Sequence, residues 1–490
     1  MTTTIESLAA FVVGTPADAI PEEVVEYSKL LLCDTVVCAL ATAALERGTM
    51  ARNLARRMGG PEESLLLGSA DRSSVLSASY ANADLMNVLD ADETFFNSAH
   101  FAAMSFAPAL ARAEQGRASG AELVRAAALS FDINARLNLG TSLMEYDGDQ
   151  IRFSQLSSHG YAALGAAAAM AVLGGFGTEE LAHAMGLATW LTPTAKNGYM
   201  GSRRKFNSLK YAPNGQIAHA GVTAAMMVAE GYIGDVDSLD TQPGFLEAQG
   251  YRGGDRAAIL ADLGSTWWIT ETSVKPYPAC RFAHAALDAV LQFQRTRSVD
   301  LDDIERVEVR LGPGAYSISQ FRDPLPELPD DHTGTFAGQF NMPHLVAAAL
   351  LGVPAGPKWF SAAMIEDPRV RALASRVVVT EDPVLRKEWQ DALAAGPGGK
   401  MRRTRGSITV HTRSGAIDFE TDFALGDPWA DATRASWTML EDKIAGFCDG
   451  IIDSGRQARM VSAFRDLDKI DDVAAELVPL LAVNPGEAVR

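Results

Sequence analysis

Apolar positions recur along this chain at helical spacing far more often than they alternate. Pro21, Glu22 and Glu23 open the first long helix with acids in its first turn, and Val25, Leu30, Leu31, Val36 and Val37 follow at roughly helical intervals, which predicts a core helix. Next come a charged helix with Met50, Leu54 and Met58, the Gly59-Gly60-Pro61 break, a brief apolar run from Ser64 to Gly68, and a helix from Ser73 to Leu89. From Phe101 to Gly175 alanine dominates. The segments FAAMSFAPALARAEQG, ELVRAAALSFDINARL and GYAALGAAAAMAVLGG are good helix formers whose small faces let helices approach closely. No self-similarity at a fixed period is evident, so a repeat architecture is not expected.

The pattern changes near Trp267-Trp268. DDIERVEVRLGP, SRVVVTED and GSITVHTRSGAIDFETDF alternate with period two, and Ser414-Gly415 marks a hairpin turn. GQFNMPHLVAAALLG and FSAAMIEDPRVRALASR between them read as helices, and the tail from Thr433 to Leu481 returns to helix. The predicted fold is mostly α with an α+β lid. A large all-helical domain is built from both chain ends, residues 1–270 and 424–490, and a smaller α+β domain, 271–423, is inserted between them. The two crossings, beside Trp267-Trp268 and near Phe423, are the expected hinges.

A chain of 490 residues has room for two domains, and 47% hydrophobic with 21% charged residues is the balance of a folded globular protein. The formal net charge of −18 argues against partners that are nucleic acids or anionic membranes, because both repel such a chain. An anionic substrate must then be held by a local cationic pocket. Cys33, Cys38, Cys280 and Cys448 show neither a C-x-x-C pair nor a disulfide framework, which fits a reducing, cytoplasmic setting. The amino terminus carries Glu6 and no basic n-region, so it does not read as a signal peptide. The best candidate for a membrane span, Gly160 to Phe176, is short and rich in alanine and glycine.

The densest chemistry lies between Asn82 and Pro108, where Asp90, Asp92 and Glu93 are followed by Thr94, Phe95-Phe96 and then His100. Acids between two apolar runs usually point into a cleft or pair with cations. Singly, Asp92 and Glu93 are ordinary helix-start charges and His100 a satisfied core histidine. Ser158-His159-Gly160 begins a helix, where free N–H groups favour an anion, and His159 alone reads equally well as an end cap. The most basic segment follows. Gly198 and Gly201 flank Tyr199-Met200 and suggest a loop, with Arg203, Arg204, Lys205 and Lys210 crowded after it. In ETSVKPYPACRFAHAAL, two prolines around Tyr277 forbid a regular helix and leave an extended segment that can present Lys275 to a cleft. Cys280 reads as a small buried thiol.

LDADET, with a histidine ten residues after Asp90, resembles the LDFDDT…H block of the MmgE/PrpD family, which includes 2-methylcitrate dehydratase and cis-aconitate decarboxylase. SSHGYAALGAAAA resembles the family's histidine before a glycine- and alanine-rich helix. SLKYAPNGQIAHAG resembles its lysine before a helix, and KPYPACRFAH its K-x-Y-P-x-C-x-x-x-H block. The resemblance implies catalytic positions for Asp90, His100, His159, Lys210 and Lys275, and substrate-binding positions for Tyr199, Arg203, Arg204, Lys205, Cys280 and His284. It also implies a homodimer joined through helices of the large domain, with no metal and no organic cofactor. The chain has no HExxH, phosphate-loop or dinucleotide fingerprint. Departures touch the substrate: Asn87 stands where family members commonly have histidine, Glu93 replaces an aspartate, Gly-Ser-Arg-Arg-Lys follows Met200, and Trp429-Ala430 replaces an asparagine-proline pair.

The implied activity is that of a cofactor-independent lyase, a dehydratase acting on a small di- or tricarboxylate by proton transfer at the carbon next to a carboxylate. An epimerase or isomerase using the same proton transfer, a cis-aconitate-type decarboxylase and a non-catalytic metabolite-binding homologue are the alternatives. In the leading reading His100 and His159, with an unperturbed pKa of about 6.5, exchange protons near neutrality. Lys210 and Lys275 serve the charge of the substrate rather than the core.

Overall fold

The computed structural model describes residues 2–43, 45–96, 99–141, 144–148, 150–153, 159–193, 214–251, 255–297, 299–318, 321–322, 325, 338–394 and 401–484. Among these the first half is largely helical: α1 (Thr4–Gly14), α2 (Glu22–Leu40), α3 (Glu46–Met58), α4 (Val75–Asn87), α5 (Ala102–Gly116), α6 (Gly120–Leu139), α7 (Ala162–Gly174), α8 (Thr178–Leu191) and α9 (Asn214–Ala229). Helix α2 is buried without a break from Tyr27 to Leu40. A helix apolar on nearly all sides belongs at the centre of a bundle, and α4, α5 and α6 pack around it. The alanine-rich helix α7 lies against α5, α6, α8 and α9. Small side chains make this approach possible: a Cβ on Gly221 of α9 would stand 2.3 Å from the carbonyl oxygen of Ala163 on α7.

The helical half is interrupted by strands that the periodicity did not predict. β1 (Ser64–Leu65) pairs with β2 (Arg72–Ser73), and β4 (Met144–Asp147) forms an antiparallel hairpin with β5 (Gln150–Phe153) between α6 and α7. Gly148 in that turn has φ +60°, a conformation glycine adopts without a Cβ penalty.

Downstream, β7 (Ile304–Leu311), β8 (Val377–Glu381), β9 (Gly406–Thr412) and β10 (Gly415–Thr421) form one sheet in the order β10-β9-β7-β8. β7 runs parallel to β8 and antiparallel to β9, and β9-β10 is the hairpin expected at Ser414-Gly415. The His284–Thr296 helix covers β9 and β10 and packs against the Met342–Leu350 helix. The fold is mostly α with a small α+β portion. Near the end of the chain the Trp437–Phe447 and Ser454–Arg465 helices pack on α2. No helix among the described residues is long and apolar enough to cross a membrane.

Contacts at two places fix how the chain leaves the helices and comes back. Arg136 and Asp132 of α6 form a buried ion pair at 2.6 Å, and the Arg136 guanidinium also donates to the carbonyls of Ala261 and Thr266, at 2.5 and 2.7 Å. Trp268 N donates to Asp132 at 3.0 Å. On the return, Val274 N donates to Gly426 O at 3.0 Å, and a Cβ on Gly426 would fall 1.9 Å from Val274 O. With φ +90° as well, position 426 is one where only glycine fits without strain.

Candidate active site

Helix α4 ends at Asn87, and three residues later Asp90 takes φ +52°, a left-handed conformation uncommon outside glycine. The chain beyond Asp90 is positioned by a short strand pair. β3 (Thr94–Phe95) lies antiparallel to β6 (Thr272–Ser273), with Thr94 opposite Ser273, and Tyr27 of α2 donates to the Thr272 carbonyl. This pairing lays the Asp90 loop beside the proline-bounded segment that carries Lys275. Lys275 Nζ lies 2.5 Å from Asp90 Oδ1 and 2.9 Å from the Asp90 carbonyl oxygen, with both side chains fully buried.

The other two acids of the block divide the work of organising it. Both oxygens of Asp92 accept from the Asn87 amide, at 2.8 and 2.7 Å. Asn87 thus acts as a donor to an acid of the cluster. Glu93 reaches the start of α5, where its Oε1 accepts from the N–H groups of Phe101 and Ala102, each at 2.7 Å. A carboxylate at a helix N-terminus satisfies orphan donors and meets the positive end of the dipole. Burial and the neighbouring Asp92 charge nevertheless push the Glu93 carboxyl up to about 8, because two fully buried carboxylates side by side resist joint ionisation.

His100 is held by the same turn. Its Nδ1 lies 2.5 Å from the Glu93 carbonyl, which can only accept, so Nδ1 carries a hydrogen and Nε2 is the ring nitrogen turned away from that bond. One ligand-type atom each from Asp90, Asp92 and His100 fall within 4.8 Å of one another. Both carboxylates of this trio already accept from nitrogen donors, Lys275 and Asn87, which suits a proton-handling cluster. His159 stands next to it, with the two imidazole centroids 6.2 Å apart and edge-on. Its Nε2 accepts from His100 N across a long 3.4 Å, which leaves the hydrogen on Nδ1, and that atom has no partner among the described residues.

Burial pushes the His159 pKa down to about 3. The unperturbed value had suggested proton exchange near neutrality. The ring is neutral there, offering Nδ1–H as a donor and a lone pair on Nε2, but no second proton.

The remaining sequence candidates separate into two groups. Cys280 and His284 follow Lys275 in the same buried segment: Cys280 N donates to Gln339 O at 3.0 Å, and His284 Nε2 donates to Ala279 O at 2.9 Å. Burial, then the charges of Arg281 and Lys275, hold the His284 ring well below the usual histidine range. His284 is therefore a buried neutral ring fixed to backbone. Tyr199, Arg203, Arg204, Lys205 and Lys210 lie outside the described residues.

Several charged groups near the cluster were missed by sequence reasoning. Arg281 forms a buried ion pair with Asp427, which also accepts from Ser273 Oγ at 2.6 Å and Ala424 N at 2.8 Å, so the late Gly-Asp-Pro is tied to the Lys275 segment. Lys443 pairs with Asp34 at 2.5 Å in the core and donates to the Ala91 carbonyl at 2.6 Å. Asp34 had a signal, a lone acid inside LLCDTVVCAL. Lys443, in MLEDKIAGF, has the look of a solvated helix face.

Comparison with known proteins bears on the whole chain. Two cis-aconitate decarboxylases of Aspergillus terreus are similar to it. That of strain NIH 2624 / FGSC A1156 is 23% identical over 351 residues, covering 68% of this chain and 69% of the relative. The second is 23% identical over 383 residues, covering 74% and 75%. The MmgE/PrpD N-terminal domain matches residues 6–252 and the MmgE/PrpD C-terminal domain residues 277–469. Matched through both of its halves, the chain belongs to the MmgE/PrpD family.

Proposed function

We propose that the protein is a cofactor-independent lyase that removes a proton from the carbon next to a carboxylate of a small di- or tricarboxylate and then expels water. The observation that carries this reading is the buried Asp90–Lys275 pair with His100 and His159 beside it. As the proton leaves, negative charge moves onto the carboxylate; a desolvated lysine ammonium and a neutral imidazole N–H are suited to that charge. His100, with Nε2 bearing the lone pair, is the proposed base, oriented through its Nδ1 by the Glu93 carbonyl. The leaving hydroxyl takes a proton from an acid of the cluster and departs as water, leaving an alkene. Lys210 and the Tyr199 to Lys205 segment complete the proposed anion site, with Cys280 and His284 lining it. Residues 271–423 serve as its lid, and the working unit is a homodimer.

A second reading has its own support. Both similar relatives are cis-aconitate decarboxylases, and the same cluster can protonate the carbanion left when carbon dioxide departs. Incubation in deuterated water with a panel of carboxylates separates the possibilities. Deuterium exchange with loss of water supports the dehydratase, release of carbon dioxide the decarboxylase, and exchange alone an epimerase. A protein that binds a carboxylate but produces none of these would overturn the enzymatic reading.

A further inference from the structure

We infer that Lys443 is a positioning residue: held by Asp34, it fixes the peptide unit after Asp90 and thereby the direction of the Asp90 carboxylate. Asp90 and Ala91 present consecutive carbonyls at a left-handed turn, and each carbonyl accepts from a different buried lysine. Lys275 donates to Asp90 O at 2.9 Å, and Lys443, 352 residues away from Ala91 in sequence, donates to Ala91 O at 2.6 Å. The φ of +52° is a conformation that a non-glycine residue keeps only when its surroundings impose it. Two ammonium groups gripping adjacent carbonyls provide that constraint.

The grip has a rigid base. Lys443 projects from the Trp437–Phe447 helix and Asp34 from the middle of α2; both side chains are fully buried and the two helices pack together. Burial works against the charge on Lys443, and the Asp34 carboxylate beside it works for it, leaving the ammonium raised above the usual lysine range. Besides Lys443, the Asp34 carboxyl is within electrostatic reach of Asp92 and Lys275, so the pair belongs to the charge balance of the cluster. Lys443 acts through the backbone of the Asp90 loop.

This assignment rests on the reading of the Asp90 cluster as the catalytic site, and the test separates the two. In the double variant Lys443→Met/Asp34→Leu both charges are gone and the pair is replaced by apolar side chains, a change that buried ion pairs often tolerate. The expected result is a melting temperature near that of the wild type, kcat lowered roughly 10²-fold with KM little changed, and a displaced titration midpoint of the His100 ring in NMR. The NMR readout needs no turnover, so it decides the positioning role even where every carboxylate tested proves inert. A folded double variant with the wild-type kcat and His100 midpoint would overturn it. If the double variant does not fold, Lys443→Met alone decides, because a buried Asp34 without its partner takes up a proton rather than keep an unpaired charge. A folded Lys443→Met with kcat lowered roughly 10²-fold and a displaced His100 midpoint supports the assignment. Wild-type values of both would refute the grip on Ala91.

Discussion

Lys275 and Asp90, 185 residues apart in sequence, form a fully buried ion pair in which Nζ stands 2.5 Å from Oδ1. The pair joins the loop after α4 to the extended segment before the His284–Thr296 helix, and it does so away from the surface. Removing one member of such a pair leaves the other charge buried and uncompensated.

Lys275→Ala is therefore expected to destabilise the protein by about 3–5 kcal/mol as well as to abolish turnover. Burial gives this lysine a share in the core beside the role expected of it toward the substrate. Lys275→Met combined with Asp90→Asn should recover much of the melting temperature and none of the activity. Calorimetry of the three proteins beside an activity assay checks this, and a Lys275→Ala variant melting with the wild type would mean the pair contributes nothing to the fold.

Glu93 makes the stability depend on pH in a definite direction. Its carboxyl is raised to about 8 in the folded protein from an ordinary 4.5, chiefly by burial and then by Asp92. A group whose folded pKa is raised adds stability that is complete below the unfolded value and disappears as pH climbs through the folded one. Glu93→Gln keeps an oxygen for Phe101 N and Ala102 N but does not titrate. The variant should thus gain melting temperature relative to the wild type steadily from pH 5 to pH 8, a window set by those two pKa values. A difference that is flat across this range would place the proton elsewhere.

How much of this was legible in the sequence depended on whether a signal was contiguous. The helix starting after Pro21 and the hairpin turn at Ser414-Gly415 stand where apolar spacing and turn chemistry put them. Asp90, His100 and Lys275 could be picked out because each lies in a compact block of unusual residues. The β4-β5 hairpin was hidden because it is short and sits between two strongly helical, alanine-rich runs. The Asn87–Asp92 contact was invisible since it depends on how α4 ends rather than on spacing. Lys443 was invisible for another reason: a lysine beside two acids on a helix reads as solvent-facing until α2 is seen to cover it.

The two histidines of the candidate site, His100 and His159, are expected to act on the chemical step. Glutamine at position 100 or 159 is expected to lower the chemical step by roughly 10²–10⁴-fold, with a smaller effect on affinity. His159, pushed down to about 3 by burial, adds stability that is present above its unfolded pKa of 6.5 and lost as pH falls toward 3. The rate profile near neutrality should then keep its shape in His159→Gln and simply drop. An inflection near 6.5 that vanishes with His159→Gln would show that the ring carries a second proton at neutrality after all.

The crossings between the helices and the sheet were expected to be hinges, and hydrogen bonds hold the chain at both of them. Arg136 holds the carbonyls of Ala261 and Thr266, Trp268 N is bound by Asp132, and Val274 N by Gly426. Amides so bonded open only in larger fluctuations, so Trp268 and the buried Val274 should exchange slowly in the ligand-free protein. A tight-binding carboxylate analogue should add nothing there, while slowing exchange in both the Tyr199 to Lys210 segment and the Ser273 to His284 segment outside Val274. Fast exchange at Trp268 and Val274 without ligand would restore the hinge. Protection confined to one of the two segments, with the analogue demonstrably bound, would mean that the ligand does not bridge them and that the proposed anion site is wrong.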